Sequence, residues 1–299
     1  MSVLQPLTRL LPAALRLPLV PPRAPTEQAR RLANILGVDV GELASIRMGP
    51  RFHYRPFTIT KPDGGERRLL APSPALKTLQ RRLLDNYLSR IPIPGCATAF
   101  RPGSSVVHNA RRHAGRRLIA TVDLRDFFES TRAARVRAFF VKQGWRDEGL
   151  QTLMRLCVYR NGLPQGAPTS PCLSNLVNIP LDERLKGLAQ RTGAVYTRYG
   201  DDLTFSWNAD RIPGGFQRAV EDILHAAGYA IQPRKGWSVT PISGRPRVTG
   251  LVLTGDGRVS VPWALRWRIW CLRWKWWWSR NDDVWAKLHG YKGYVRMVR

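Results

Sequence analysis

Residues 196–206 place the pair Gly200–Asp201 between two arms rich in β-branched and aromatic side chains. A Gly-Asp pair between such arms is a signal for a tight turn, so the stretch predicts a β-hairpin. The turn brings two adjacent carboxylates, Asp201 and Asp202, to the hairpin tip. Neighbouring carboxylates repel each other and are costly to hold together unless cations neutralise them. The hairpin therefore predicts a metal site, although Gly200-Asp201-Asp202 taken alone also fits an ordinary surface turn.

A third carboxylate follows a short apolar run further upstream. Residues 118–122 are mostly apolar and partly β-branched, as in a buried strand, and Asp123 ends the run. A carboxylate at a strand end lies at the edge of a sheet, where it can face the predicted hairpin. Two-metal sites for phosphoryl transfer need such a further carboxylate. Oxygen ligands without a Cys or His set favour Mg²⁺, which keeps waters and is completed by substrate phosphates.

Three ordered blocks around these aspartates resemble the palm of bacterial reverse transcriptases. The blocks are 122–128 (VDLRDFF), 162–171 (GLPQGAPTSP) and 199–202 (YGDD). Two more blocks are similar to patterns of the retron reverse transcriptases, namely 109–113 (NARRH) and 248–250 (VTG). The resemblance runs from about Phe52 to Val261. Gly200 stands where many retron enzymes carry alanine, which is an exchange of one small residue for another.

The resemblance implies an α+β right-hand polymerase fold. It divides the chain into fingers at 26–118, a palm of antiparallel sheet plus helices at 119–254, and a small helical thumb, rich in Trp and Arg, at 255–299. Residues 1–25 contain arginines and prolines but no acid, and we expect a basic flexible tail there. A transit peptide has a similar composition, but the prolines would interrupt its amphipathic helix and no cleavage-like site is evident.

Local patterns predict several elements of this fold. Two short helices are expected over 26–47, with Gly37 ending the first. Leucines at helical spacing predict a helix over 76–87, and a further helix is expected over 106–113. A strand is expected to begin at Tyr229, and residues 248–253 are expected to pair with 259–261 as a hairpin.

By resemblance, the three aspartates carry the catalysis. Asp123, Asp201 and Asp202 would hold two Mg²⁺ ions, for which Mn²⁺ can substitute, and the backbone carbonyl of Leu124 would complete a metal shell. One metal would activate a primer hydroxyl, both would neutralise the transferring phosphate, and pyrophosphate would leave.

The fingers contain a candidate triphosphate contact. Residues 61–68 form a predicted hairpin with a Gly-Gly tip and basic residues on both arms, which suits a mobile segment that closes over phosphates. By resemblance, Lys61 and one of Arg67 and Arg68 would hold the nucleotide. Without the palm blocks, the same stretch fits a solvated basic hairpin.

The palm blocks contain further nucleotide-binding candidates. Phe128 matches the ring that packs beneath the incoming sugar and excludes a 2′-hydroxyl, which implies a preference for deoxynucleotides. Gln165, held between prolines, matches a residue that touches the nucleotide or the template base. Lys235 lies in a basic turn and is a candidate phosphate contact. The alternative is that Phe127 and Phe128 are both core aromatics. We adopt this interpretation for Phe127.

The charge of the chain favours a polyanionic partner. The 48 Lys and Arg against 21 Asp and Glu give a net charge of +27, far more than solubility requires. The 9% aromatic residues add stacking surfaces suited to RNA or single strands. A basic, Trp-rich chain also fits a membrane surface, but no run reaches about 18 apolar residues. The four cysteines show neither zinc nor disulfide spacing, so we expect buried thiols in a soluble, cytoplasmic protein.

Two regions are candidates for RNA contact. Eight of the eleven tryptophans lie in the segment from Trp263 to Trp285, which also contains several Arg and Lys residues. Most of the helical face formed by residues 263, 267, 270, 274 and either 277 or 278 is expected to be thumb core. The run 276–278 cannot all face inward, so the alternative is an exposed Trp that serves as an RNA platform. Asn109 and His113 share one helix face and are either structural or RNA-binding. The RNA-binding candidates are Asn109, His113, Arg266, Arg273, Lys275 and Trp276.

The resemblance leads to a functional hypothesis. A retron enzyme copies its own structured noncoding RNA into single-stranded DNA linked to that RNA (msDNA), begins from a guanosine 2′-hydroxyl, and acts in antiphage defence with an effector protein. The expected partners are that RNA as template and primer, an RNA–DNA hybrid and dNTPs. The alternatives are another bacterial reverse transcriptase, of group II intron-like or defence type, or a noncatalytic RNA-binding palm protein. The intact aspartates and Gln165 argue against the last of these.

Overall fold

The computed structural model describes residues 25–48, 53–60 and 64–298. The expected N-terminal tail lies outside these ranges except for its last residue, and Lys61 also lies outside them. The boundaries of fingers, palm and thumb stay a prediction.

The N-terminal half of the described chain is a helical layer with one hairpin. Both helices expected over 26–47 are confirmed: the Thr26 side chain accepts a hydrogen bond from the Ala29 backbone N–H at 3.1 Å, and Gly37 ends the first helix at φ 62°. The elements of this layer are α1 (Glu27–Leu36), α2 (Glu42–Met48), β1 (Tyr54–Thr60), β2 (Glu66–Pro72) and α3 (Pro74–Asn86). Strands β1 and β2 pair antiparallel as the predicted finger hairpin.

Short helices connect this layer to the central sheet and cover it. They are α4 (Val106–Arg111), α5 (Phe127–Ser130), α6 (Ala133–Lys142), α7 (Asp147–Cys157), α8 (Ser170–Val177), α9 (Ile179–Arg191) and α10 (Phe216–Ala226). The buried leucines of α3, which the sequence predicted, form one apolar core with α1, α2, α6, α7 and α8.

The central sheet has four strands: β3 (Leu118–Asp123), β4 (Val195–Tyr199), β5 (Asp202–Trp207) and β6 (Trp237–Pro241). Their order is β4-β5-β3-β6, and each neighbouring pair is antiparallel. The predicted strand at Tyr229 is wrong: Ile231 makes only an isolated bridge to Leu124, and the strand proper begins at Trp237.

The two faces of this sheet differ in chemistry because side chains alternate along each strand. Leu118, Ala120 and Val122 of β3 pack with Leu203 and Phe205 of β5 beneath α9 and α10. The opposite face presents Thr121 and Asp123 from β3, with Thr204 and Asp202 as their cross-strand partners. One face is therefore a core, and the other is polar.

The C-terminal part is a small sheet followed by two helices. It comprises β7 (Arg247–Val248), β8 (Leu251–Leu253), β9 (Val259–Ser260), α11 (Trp263–Ser279) and α12 (Asp282–Val298). The expected hairpin is confirmed by the pairing of β8 with β9. Apolar residues of this sheet, of α4 and of the end of α12 pack around Ile119, and so close one end of the polar face.

The prediction that the Trp-rich face of α11 is core is wrong. The side chains at 263, 267, 270, 274, 277 and 278 are 51% to 72% exposed. The half-buried positions of α11 are Leu265, Ile269, Leu272 and Trp276. These four residues form a seam on the other side of the helix, toward α12, whose Val284 and Leu288 are buried. Because α12 covers only that side, the Trp face stays in solvent.

Three cysteines, Cys96, Cys157 and Cys172, are buried free thiols as expected, whereas Cys271 is free and exposed. In the described parts of the chain, no helix is both long and apolar enough to span a membrane.

Candidate active site

The predicted hairpin forms with a two-residue turn. Tyr199 pairs with Asp202, which leaves only Gly200 and Asp201 to connect β4 and β5. Gly200 has a φ of 66°, in the left-handed region that glycine adopts without strain. The backbone N–H of Leu124 donates to the carbonyl of Asp201 at 3.0 Å, which ties the turn to the end of β3.

Strand register brings the distant aspartates together. Asp123 and Asp202 are direct partners across β3 and β5, so their side chains leave the same face of the sheet. Asp123 is 8% exposed, Asp202 is half-buried and Asp201 is the most open of the three. The structure thus brings together the three residues on which the sequence prediction depended.

The electrostatics of this cluster favour a bound cation. Burial, together with the neighbouring charges of Asp201 and Asp123, raises the pKa of Asp202 to about 7. Burial and the carboxylate of Asp123 also raise the pKa of Asp201. Raised pKa values mean that the protein disfavours the full negative charge of the cluster, and a cation would remove that cost.

Lys235 supplies one such cation. Its Nζ donates to Oδ2 of Asp123, and this hydrogen bond is the main reason that the pKa of Lys235 is raised. The turn that carries Lys235 is held to β3, since the backbone N–H of Gln232 donates to the Asp123 carbonyl at 2.8 Å. Its place beside the site is as expected, while its contact with phosphate stays a prediction.

The donor set fits hard divalent cations such as Mg²⁺. All three side chains are carboxylates, and oxygen donors are what Mg²⁺ prefers. Among the described residues, no group of three or more His, Cys, Asp or Glu side chains forms a ready-made metal cluster. The metal role of the aspartates and of the Leu124 carbonyl stays a prediction.

A buried ion pair that the sequence analysis missed supports the turn. Arg198 and Asp182 are both fully buried, and their side chains meet in two hydrogen bonds, of 2.8 and 2.6 Å. Arg198 also donates to the Asn175 side chain at 3.1 Å and to the Gly200 carbonyl at 3.3 Å. Tyr196 donates to the same Asp182 carboxylate at 2.9 Å. An arginine in a β-prone arm and an aspartate at an inward helix position were the available signals.

The loop of Gln165 lies against the finger hairpin. The backbone N–H of Leu70 in β2 donates to the carbonyl of Gln165 at 2.8 Å. Gly166 has a φ of 126°, and a Cβ there would stand 2.6 Å from the Leu70 carbonyl oxygen, so only glycine fits this approach. The Gln165 side chain is half-buried.

The two finger arginines are exposed and point to opposite faces of β2. Arg68 lines a cavity of about 260 Å³ together with residues of the 159–164 segment. Arg67 does not line that cavity. Both arginines stay candidates for the triphosphate contact.

Comparison with known proteins agrees with this geometry. Residues 59–241 match the profile of the family described as "Reverse transcriptase (RNA-dependent DNA polymerase)". The chain belongs to the reverse transcriptase family. It is 37% identical to the retron Mx162 reverse transcriptase and 38% identical to the retron Mx65 reverse transcriptase, both of Myxococcus xanthus. It is also 37% identical to the retron Ec86 reverse transcriptase of Escherichia coli. These relatives place it among the retron reverse transcriptases.

The alignment to the Mx162 protein covers 78% of this chain and 54% of that protein. For the Mx65 protein the shares are 89% and 67%, and for the Ec86 protein they are 69% and 64%. The chain thus spans about half to two thirds of their length. A solved structure of telomerase from Candida albicans, in complex with a TWJ fragment of telomeric RNA, matches at a TM-score of 0.52 and 10% identity. That match covers 74% of this chain and 46% of the telomerase chain, and it confirms the right-hand polymerase fold.

In this member of the reverse transcriptase family, the two adjacent phenylalanines have different environments. Phe127 is 4% exposed and stacks on Tyr229 with ring centroids 5.7 Å apart, so its assignment to the core is confirmed. Phe128 is half-buried, with the exposed ring of Phe100 6.1 Å away. Phe128 therefore keeps a partly open face, and its contact with a sugar stays a prediction.

The structure contradicts RNA contact by Asn109 and His113, because both side chains are fully buried. The His113 ring bridges Thr197 of β4 at 2.7 Å and Ser206 of β5 at 2.8 Å, and the Asn109 side chain accepts a hydrogen bond from Thr98 at 2.7 Å. Asn109 and His113 are therefore structural residues, which was the alternative to RNA binding. Because Thr197 and Ser206 lie on the polar face of the sheet, His113 joins the two arms of the hairpin from the catalytic side.

The remaining RNA-binding candidates lie on α11. Arg266 donates to the Ser260 side chain at 2.6 Å, and Arg273 and Lys275 are exposed. Trp276 is half-buried, and its ring lies 4.4 Å from that of Trp285. Of the α11 tryptophans, Trp276 is thus the one on the packed seam, and its contact with RNA stays a prediction.

The burial of His113 predicts a pH-dependent stability. Burial, with Arg112 and Arg116 nearby, lowers the pKa of His113 from 6.5 to about 3. Between these values only the unfolded state takes up the proton, so stability falls as the pH drops through this window. We expect the free energy of unfolding to lose up to about 1.4 kcal/mol per pH unit below pH 6 from this one group.

Urea unfolding between pH 7 and 5 measures this effect. His113→Gln should flatten the dependence, whereas His108→Gln, a change at an exposed position of α4, should leave the wild-type slope. An unchanged slope in the His113 variant would refute the assignment.

Proposed function

We propose that this chain is an RNA-directed DNA polymerase, a nucleotidyltransferase that copies RNA into DNA from dNTPs. The observation that carries the proposal is the direct cross-strand pairing of Asp123 with Asp202, beside the turn residue Asp201. Membership of the reverse transcriptase family supports the same reaction.

We assign the roles of the side chains from their positions. The three carboxylates would hold two divalent cations, Mg²⁺ or Mn²⁺, which when bound would activate a primer hydroxyl and neutralise the transferring phosphate. The Lys235 ammonium occupies Oδ2 of Asp123, so this oxygen becomes a cation ligand once the lysine has turned away. Its ammonium, on an exposed side chain, is then free to turn toward a nucleotide phosphate.

The nucleotide would lie between the finger hairpin and the polar face of the sheet. Arg67 and Arg68 on β2, with Lys61, are our candidates for the triphosphate. The Leu70–Gln165 hydrogen bond joins β2 to the Gln165 loop, so movement of the fingers would carry this loop with it. The divisions into fingers, palm and thumb given above belong to this proposal.

We further propose that the chain acts in a retron. Its template would be its own structured noncoding RNA, its product a single-stranded DNA linked to RNA through a guanosine 2′-hydroxyl, and its role antiphage defence together with an effector protein. Identity of 37% to 38% with named retron reverse transcriptases supports this. A cytoplasmic location is part of the same proposal, and the four free cysteines suit a reducing compartment.

Two assays test these proposals in turn. Purified protein is given an RNA template with an annealed DNA primer, dNTPs and Mg²⁺, with Asp201→Asn as control. Extension by the wild type alone supports the polymerase. RNA binding without extension would favour a noncatalytic palm protein instead.

The second assay expresses the gene with its native upstream flank and examines RNase-treated nucleic acid. A DNA of fixed length that carries a residual branched ribonucleotide, and that is absent in Asp201→Asn, supports the retron. Extension in the first assay without such a DNA would indicate a reverse transcriptase of another type.

Phe128 gives a prediction about sugar selectivity. If its ring excludes a 2′-hydroxyl by collision, Phe128→Val should raise the kcat/KM for ribonucleotides relative to deoxynucleotides by about 10- to 100-fold. Single-nucleotide incorporation with matched dNTP and rNTP measures the ratio. Phe100→Val, which removes the neighbouring exposed ring, is the control and should leave it nearly unchanged. Equal relaxation by both variants would show that the effect is a general loss of packing.

A further inference from the structure

The exposed tryptophans of α11 form one continuous ridge. We define the Trp ridge as Trp263, Trp267, Trp270, Trp274, Trp277 and Trp278. Each is more than half exposed. Over the 15 residues between its ends the ridge runs for about 22 Å along the helix. Six large aromatic side chains in solvent are costly for a protein that uses them only for folding, since each leaves apolar area in water.

The rings are ordered relative to one another. Trp263 and Trp267 have centroids 5.8 Å apart and planes within 13°, Trp267 and Trp270 are 4.9 Å apart at 20°, and Trp270 and Trp274 are 6.2 Å apart at 15°. These separations exceed van der Waals contact of about 3.5–4.0 Å, so the parallel rings are offset. The offset leaves part of each ring face free to stack on a planar partner.

Cations flank the Trp ridge on both sides. At 100° per residue, Arg266 and Arg273 lie along one edge, Arg268 and Lys275 along the other, and α11 contains no acidic residue. Aromatic rings edged by cations are the combination that binds single-stranded nucleic acid, where the rings stack on bases and the cations meet phosphates. A second copy of this chain would bring the same positive charge to the ridge and be repelled.

The surroundings of the ridge favour a strand over a bilayer. Trp263 and Arg266 also line a cavity of about 440 Å³ whose wall includes Arg245 and Arg247. Arg266 in turn lines a cavity of about 1140 Å³ that contains further cations. A positively charged hollow continuing from the end of the ridge suits a flexible polyanion, whereas a flat membrane surface would not enter it.

The exposure of the rings favours unpaired nucleotides. In a duplex the bases are paired and stacked inside the helix, so bases that are splayed out of a helix are the ones that reach free ring faces.

We propose that the Trp ridge is a docking site for an unpaired segment of RNA, separate from the catalytic carboxylates. The choice of RNA rests on the proposed RNA-directed activity, since structured RNA presents loops whose splayed bases stack on aromatic side chains. The ridge thus holds the RNA outside the site where it is copied.

Fluorescence anisotropy of labelled 12-nucleotide RNA tests this with three forms of the full chain. The triple variant Trp267→Leu/Trp270→Leu/Trp274→Leu keeps apolar side chains but removes the rings, and the matched triple variant to Phe keeps aromatic rings. Because base–aromatic stacking is lost with the rings, the Leu variant should bind at least about tenfold more weakly. The Phe variant should stay much closer to the wild type.

Further measurements in the same experiment identify the ligand. The same sequence is presented as RNA duplex and as single-stranded DNA, each of which should bind more weakly than unpaired RNA. Wild-type affinity in the Leu variant, or tighter binding of the duplex or of DNA, would overturn the proposal. Cosedimentation with anionic phosphatidylserine vesicles that is lost in the Leu variant while RNA affinity is kept would assign the ridge to a membrane. A concentration-dependent dimer that the Leu variant abolishes would assign it to self-association.

Primer extension on a preformed RNA–DNA hybrid separates this test from the proposed function. The wild-type chain alone is used here, and its extension of the primer supports the polymerase proposal whatever the ridge binds. Absence of extension in the wild type would refute the polymerase proposal while leaving the binding result to be judged by itself.

Discussion

Replacing Asp202 with asparagine is expected to reduce DNA synthesis by about 10³-fold or more and yet to preserve the fold. Divalent cations supply several kcal/mol of transition-state stabilisation, and each 1.36 kcal/mol corresponds to a factor of ten in rate. Asparagine keeps the shape of the side chain but offers a neutral oxygen to the cation. The stability should move in the opposite direction, because the crowding of Asp123, Asp201 and Asp202 that raises the pKa of Asp202 to about 7 makes its charged form unfavourable in the folded protein.

The measurement pairs primer extension in Mg²⁺ with thermal unfolding at pH 8 in EDTA. Asp202→Asn should unfold at the same temperature as the wild type or higher. Asp210→Asn changes an exposed carboxylate paired with Arg117 at 2.6 Å, and should alter neither activity nor stability by more than about 0.5 kcal/mol. Activity within tenfold of the wild type in Asp202→Asn would remove this residue from the catalytic set.

Replacing Arg198 with methionine is expected to lower the free energy of unfolding by about 3–5 kcal/mol, the cost of leaving a buried charge without its partner. Asp182 would lose both of its hydrogen bonds to the guanidinium, and the Gly200 carbonyl would lose a donor. Because Gly200 precedes Asp201 in the turn, the loss should also lower the activity of the molecules that remain folded.

Urea unfolding at pH 7 measures the stability. Primer extension at urea concentrations below the unfolding transition measures the activity. Arg184→Met, at an exposed position of α9, is the matched control and should change stability little. The double variant Arg198→Met/Asp182→Leu should recover part of the loss, since it removes both charges. If the single variant is as stable as the Arg184 control, the buried pair is not what holds the turn.

The sequence was sufficient for the catalytic hairpin because its information is local. A Gly-Asp pair between β-prone arms selects a two-residue turn. The position of Asp123 opposite the hairpin was expected because a two-metal site needs a further carboxylate and this one ends a strand. Local signals therefore predicted the elements, and the chemistry of the site predicted that they meet.

Contacts between distant segments could not be predicted in the same way. Nothing local distinguishes Arg198 from an exposed strand arginine until Asp182 is known to lie beneath it. His113 likewise became structural only when Thr197 and Ser206 were placed on either side of its ring.

The prediction of the buried face of α11 was wrong for a different reason. Both the Trp face and the seam through Leu265 and Trp276 are apolar at helical spacing, so periodicity offered two candidate core faces. The larger side chains suggested the wrong one. The packing of α12 against the seam decides the question, and no single-helix pattern contains that information.

Asp123 and Asp202 stand opposite each other on hydrogen-bonded strands, so the backbone ladder, more than the choice of side-chain rotamer, sets the distance between their carboxylates. One residue added to either strand would turn its aspartate toward the helix-covered face and away from its partner. The catalytic sheet should therefore accept many exchanges of side chain but no change of strand length. Insertions that diversify such an enzyme would have to fall in its connections, for example at the finger hairpin or around the thumb.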